Sequence, residues 1–379
     1  MAFIGLGKID KNLVPIIIGC FFCFLNRIIN QYDETLLFDN IILTNIFIAF
    51  SDLFALIPYL ILKKRSKNLK SSKIQTIKTN NLEYIYTNSE LENKRGKGRF
   101  IILSGVIFFV EAIMFVSTFE IKSNSWYLYI LLTSVFYYMI FKIKLFKHHY
   151  LSIIIIILLG IVIDLVVGNL QNEFLNNFFL LLMSFLRIIL LSFDYVIIKY
   201  TMETKFVSVY EIIFFIGLIN FVLFILFAIF DYFFFNIDNY EVYFNNFNLK
   251  ELLIVLGVMI TQLGMDLCIT ITNKNDSPCH IFIIFVFGQL AYYFFNLTKN
   301  SVIVIICLIL MLFFTLVFNE IIEINFWGLS NNTKRNIIYR AKSDADETFI
   351  VKNETFEENN EKDDNNENLQ ELKNNEVYD

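Results

Sequence analysis

Histidine and proline are scarce in this chain, and both shortages narrow what it can be. Only three His occur in 379 residues. They are His148, His149 and His280, all near the ends of apolar segments. That leaves no His deep in a segment to act as a base, and the spacing predicts no metal cluster. No Gly-rich phosphate loop of the GxxxxGKS type is present, no GxSxG elbow and no potassium-type selectivity filter. An enzyme is therefore not expected, and no catalytic set, metal or cofactor is called for. The five Cys (Cys20, Cys23, Cys268, Cys279, Cys307) lie in or beside apolar runs. Cys20 and Cys23 form a CxxC without a second ligand pair, which reads as a packed, reduced pair.

What the chain has in abundance is apolar surface. It is 56% hydrophobic with 44 Phe and only 3 Pro, and its mean hydropathy is +0.59. A soluble domain of this size has too little interior to hide so much. The fold class expected is an all-α membrane protein. Ten apolar segments can be drawn, at 13–31, 41–63, 100–119, 126–141, 150–169, 175–200, 210–236, 251–272, 279–296 and 301–323. In hydrocarbon each must be helical to satisfy its own backbone. A short charged region precedes the first run, and no small-residue cleavage site follows it, so a retained first helix is expected.

The net charge of −5 hides a polarised layout. Lys64, Arg65, Lys67, Lys70, Lys94, Arg95, Lys97 and Arg99 gather after segment two, and Lys142, Lys144 and Lys147 after segment four. The loops of opposite parity are poor in positive charge. Both termini are thereby read as cytosolic, and ten spans satisfy that parity. The organisation expected is a short cytosolic N-terminus (1–12), a first half (13–169) with a basic cytosolic loop (64–99), a second half (175–323) and a disordered acidic tail (324–379). His148 and His149 beside Lys147 read as a headgroup contact.

The two halves echo each other. Segment three contains GVIFFVEAIMFVSTFE from Gly105, and segment eight GVMITQLGMDLCITIT from Gly257. Segment one reads Phe24-Leu25-Asn26-Arg27-Ile28 where segment six reads Phe185-Leu186-Arg187-Ile188. A repeat of five spans has odd parity, so the second copy must lie inverted in the membrane.

Charge inside a spanning helix costs several kcal/mol unless it is paired or wet. Asp52, Glu111, Arg187 and Asp266 lie deep in their segments, and two readings stay open for them: groups facing a cavity, or a structural ion pair. The carboxylates suit cationic groups or protons, and Arg187 suits a phosphate, a carboxylate or a neighbouring acid. Arg27, Asp164 and Asp194 lie nearer segment ends, where solvent contact is cheap. Asn220 and Gln262 suit interhelical hydrogen bonds. Pro58 can kink segment two.

The stretch FYYMIFKIKLFKHHYLSIIIIILLGIVIDLVVGN, Phe136 to Asn169, resembles the joint between helices four and five of the drug/metabolite transporter superfamily, with Gly160 near the centre of helix five. YTMETKFVSVYEIIFFIGLINF, Tyr200 to Phe221, is similar to the link between helices six and seven in its nucleotide-sugar and EamA-type members, with Gly217 in the matching place. The resemblance covers about residues 10–323. It implies two inverted five-helix repeats in which helices one to four and six to nine line a cavity while five and ten are peripheral. Asp52, Glu111, Arg187, Asp266 and Gln289 then fall on lining helices and become the candidate substrate-binding residues, whereas Asp164 does not. The function implied is a secondary transporter of a small polar metabolite, working by alternating access with proton coupling or exchange. The competing expectation is a non-transporting receptor or scaffold acting through its loop and tail. The partners expected are the lipid bilayer of an endomembrane or the plasma membrane and a small-molecule solute. A homodimer and a cytosolic partner of the acidic tail are further candidates, and no nucleic acid is expected.

Overall fold

A computed structural model describes residues 4–6, 13–32, 40–71, 96–118, 125–142, 145–167, 178–205, 207–234, 240–246, 248–295 and 301–324. Most of the expected basic loop (72–95) and of the acidic tail (325–379) lies outside these residues. The chain divides into two compact units. Residues 1–7 and 322–379 form one, and Lys8–Ile321 the other. In the first, β1 (Ile4–Leu6) pairs antiparallel with β2 (Ile322–Ile324).

The second unit is helical throughout its described residues. Its helices are α1 (Leu13–Tyr32), α2 (Ile41–Asp52), α3 (Leu56–Ser71), α4 (Lys97–Thr118), α5 (Leu128–Phe141), α6 (Lys147–Val167), α7 (Phe178–Thr204), α8 (Val209–Phe234), α9 (Tyr240–Asn246), α10 (Leu249–Asn275), α11 (Ile281–Phe295) and α12 (Ser301–Phe318). Among the described residues, six stretches are long and apolar enough to cross a membrane: Ile41–Lys64, Lys147–Val166, Val209–Phe234, Leu249–Asn275, Pro278–Phe295 and Ser301–Phe318. Large apolar side chains point outward along them, such as Leu226, Phe233, Ile260 and Ile303. A water-facing surface would not tolerate such a belt, but lipid tails do. The chain is therefore an integral, multi-pass membrane protein.

Two departures from the sequence pattern have local causes. Segment two tightens where α2 passes through a single 3-10 turn, Leu53–Ala55, into α3, with the backbone right-handed helical at Asp52, Leu53 and Leu56. Pro58 accounts for the tightening, since it lacks an N–H and its ring excludes the carbonyl of residue 54, four positions back. Also, α3 runs on to Ser71, so residues 64–71 are helix rather than loop. Their Lys, Arg and Leu are good helix formers that continue the ladder.

Packing follows a regular scheme. α1 packs on α10 and α11, α4 on α7 and α8, α5 on α7, α2 on α8 and α10, and α6 on α12. Small residues set the closest approaches. A Cβ on Gly160 would overlap the Tyr127 ring, and one on Gly217 would overlap the Asp52 side chain. Helix ends are closed by side chains. Asn248 caps α10, accepting from Lys250 N–H at 2.9 Å and Glu251 N–H at 3.1 Å. At the other end of α10, the buried Lys199 ammonium donates to the carbonyls of Lys274 (2.7 Å) and Asp276 (3.1 Å).

Gly160→Ala is expected to lower stability by about 1–3 kcal/mol, because the Tyr127 ring has no slack to absorb a methyl group. Gly98→Ala, with open space around its Cβ position, is expected to be neutral or slightly stabilising. Thermal unfolding of the two purified variants in one detergent checks the contrast.

Candidate functional site

The deep charges meet where α4, α7, α10 and the end of α2 come together. Arg187 Nε on α7 lies 2.9 Å from Glu111 Oε1 on α4. One antiparallel rung further along the same two helices, the Ser104 hydroxyl donates to the Asp194 carboxylate. The two rungs are each separated by seven residues (104 to 111, 187 to 194), about 10 Å of helix. Such spacing follows when helices run antiparallel with matched faces. Both charged helices thus neutralise each other instead of facing lipid alone.

A second set lies between α1 and α10. The Asn26 amide donates to Gln262 Oε1 at 3.1 Å, and the Gln262 amide donates to both oxygens of Asp266, at 3.2 and 3.1 Å. The interhelical hydrogen-bond role expected for Gln262 is what it performs. Asp266 is within electrostatic reach of Asp52. Asp52 sits beside the 3-10 turn in segment two, buried, with its Oδ1 making no hydrogen bond. Tyr195 joins the two sets, being within electrostatic reach of Asp266, Asp194 and Glu111. The result is a set of four carboxyl groups (Asp52, Glu111, Asp194, Asp266), linked through Tyr195 and the nearness of Asp52 to Asp266, in which Arg187 pairs with Glu111. Such an arrangement has spare acidic capacity for protons or a cationic group.

Four of the five candidate residues read from the sequence, Asp52, Glu111, Arg187 and Asp266, belong to this constellation. For Glu111 and Arg187 the structure supplies the ion pair. The fifth, Gln289, is half-buried on α11, and among the described residues it makes none of the hydrogen bonds that tie the others. Asp194 needs a correction. Expected to reach water at the end of its helix, it is 3% exposed and bonded to Ser104, because α4 covers that face of α7. Arg27 stacks over the Tyr292 ring at 5.8 Å. Asp164 is buried against the Tyr127 phenol on the peripheral α6. Asn220 is buried on α8, and its Oδ1 makes no hydrogen bond. Tyr195 and Ser104 escaped the sequence reading, since a Tyr or Ser in an apolar helix carries no pattern that marks it. All five cysteines are unpaired.

Two apolar clefts lie elsewhere. One of about 530 Å³ is lined by residues of α1, α11 and α12, including Phe21, Phe24 and Phe287, and one of about 450 Å³ lies between Ile29 and the start of α10. Neither is lined by the four deep charges.

No family model matches the sequence, and no match is found among curated proteins.

The Glu111–Arg187 contact is expected to couple the two side chains by about 0.5–3 kcal/mol in a double-mutant cycle of Glu111→Gln and Arg187→Gln. The exchange Glu111→Arg with Arg187→Glu is expected to recover part of the stability that either single change loses. Additive losses, measured by thermal unfolding, would show that the two groups do not interact.

Proposed function

We propose that this chain is a secondary transporter of the drug/metabolite transporter type, with ten crossing helices in two inverted five-helix repeats, moving a small polar metabolite by alternating access. The observation that supports this reading most directly is a pair of equivalent contacts. Segment six meets segment three through Arg187 and Glu111. Segment one meets segment eight through Asn26 and Gln262. Adding five to the lower number and subtracting five from the higher turns the first pairing into the second. Aligning Phe24-Leu25 with Phe185-Leu186 puts Asn26 opposite Arg187. Aligning Gly105 with Gly257 puts Glu111 within one residue of Gln262. The same exchange maps α1–α11 onto α5–α7 and α2–α10 onto α4–α8, and it returns α6–α12 to itself. An inverted repeat has this property, and biased composition alone does not produce it.

The repeats differ in chemistry at the matched contact. One carries an ion pair, the other two amides, so the centre is asymmetric and can orient a solute. In the proposed cycle an anionic group of the solute competes with Glu111 for Arg187, while Asp52 and Asp266 take a cationic group or protons. The 3-10 turn at Leu53–Ala55 lies beside Asp52, the carboxylate this reading assigns to a cationic group or protons.

The test is uptake into proteoliposomes from a panel of small polar metabolites, with and without a pH gradient. Arg187→Ala and Asp266→Asn are expected to lower uptake at least tenfold, while deletion of residues 330–379 leaves it intact. Unchanged uptake in Arg187→Ala removes the residue from the site. Loss of function only on deleting the tail favours a scaffold.

A further inference from the structure

We infer that His148, His149 and Glu320 form a binding site for a divalent transition-metal ion of the zinc class. The site clips the start of α6 to the end of α12. It shares no residue with the charged constellation and does not depend on the transport reading.

The three residues offer one ligand atom each, all within 4.8 Å of one another. His148 Nε2 and Glu320 Oε1 are 3.2 Å apart. Two ligands at roughly 2.0–2.2 Å from a tetrahedral zinc lie about 3.3–3.5 Å apart, so this pair already has the required separation. The two imidazoles are close, with ring centroids 4.0 Å apart, and the third donor needs only a small side-chain rotation to close the set. Two nitrogens and one carboxylate oxygen leave a fourth position for water, a ligand set that zinc accepts.

Two independent features point to a ligand. The first is the state of His148. It is only 3% exposed, so it does not make the headgroup contact expected of it; its Nδ1 makes no hydrogen bond, and its Nε2 faces the Glu320 carboxylate. A buried imidazole left that way is costly, and a metal bond satisfies it. The second is the backbone at Glu320. The end of α12 is closed by a Schellman motif, with Ile321 N–H donating to Leu316 O at 3.0 Å and Glu320 N–H to Val317 O at 3.1 Å. The motif puts Glu320 in the left-handed region, at φ +58°, a position that favours glycine. Here it holds a carboxylate, which is thereby aimed at His148. A left-handed residue commonly closes a helix; at Glu320 that turn also brings a carboxylate to a buried histidine.

The surroundings fit. His149 sits three residues after Phe146, and its Nδ1 accepts the Phe146 N–H at 3.0 Å, capping α6. Coordination through Nδ1 replaces that hydrogen bond. Coordination through Nε2 moves the ring proton to Nδ1. Either way one cap bond is exchanged for one metal bond. The Phe318 ring meets His149 edge-on at 4.8 Å. Glu320 keeps 21% of its side chain exposed, which gives an ion a route from water.

The test uses the full chain, purified in detergent, stripped with a chelator and titrated with zinc against a metal indicator. One zinc per chain is expected, with X-ray absorption showing nitrogen and oxygen ligands and zinc raising the thermal midpoint. His148→Ala and Glu320→Gln are expected to weaken binding at least tenfold. Glu320→Gly is the decisive variant, because it relieves the left-handed strain while removing the ligand. It is expected to raise the midpoint of the metal-free protein and abolish the shift caused by zinc. Zinc affinity unchanged in Glu320→Gly, or sulfur ligands in the absorption spectrum, would overturn the assignment.

Discussion

A charge in hydrocarbon must find an opposite charge, a hydrogen bond or water, and this requirement organises the centre of the molecule. Glu111 and Arg187 meet it for each other across α4 and α7, and Ser104 meets it for Asp194 one rung away. Four residues at matched intervals fix the antiparallel register of two helices that are too charged to be comfortable in lipid singly. α4 carries Lys97, Arg99 and Glu111, and α7 carries Arg187, Asp194, Lys199 and Glu203. Glu111 and Arg187 pair with each other, Asp194 takes the Ser104 hydroxyl, and Lys97 reaches Glu211 of α8 at 2.6 Å. Lys199 closes the end of α10 and also reaches Glu203 at 2.8 Å. Once that pair of helices is set, Tyr195 is carried inward between the two polar sets and the acidic constellation follows.

Close backbone approach is the second constraint, and it acts with the first. Without a hydrophobic drive between helices in lipid, contact area and small residues decide who neighbours whom. Gly217 lets α8 lie against the end of α2 where Asp52 is buried, and Gly160 lets the Tyr127 ring lie on α6 while its phenol meets Asp164. In the first case a glycine brings a bare helix face to a buried carboxylate. In the second it seats an aromatic ring beside a buried carboxylate. Their chemistry is the same, and only the neighbours distinguish them.

The α6–α12 pair contributes to neither polar set. It is joined by apolar packing along its length, where Ile156, Leu308 and Met311 are buried. At one end lies the His148–His149–Glu320 group.

The sequence by itself determined the class of molecule and the identity of its deep charges. Apolar runs as long as a bilayer is thick have few other structures open to them, since backbone groups in lipid must be satisfied within a helix. Asp52, Glu111, Arg187 and Asp266 stood out because charge within such a run is rare. An irregularity near Pro58 was legible because a proline's steric conflict is local, and it takes the form of a 3-10 turn. What the tertiary structure alone decided was partnership. Glu111 and Arg187 are 76 residues apart in the numbering, and nothing local encodes which helix face turns toward which. Tyr195 gained its place between the acids in the same way, and Asp194 lost its expected contact with water when α4 covered it. His148 and Glu320 are 172 positions apart and meet only because α6 packs along α12 and a Schellman turn throws one carboxylate back. Periodicity reports how a helix is made, whereas a site is made by contacts between helices, and those depend on packing that no single stretch of sequence contains.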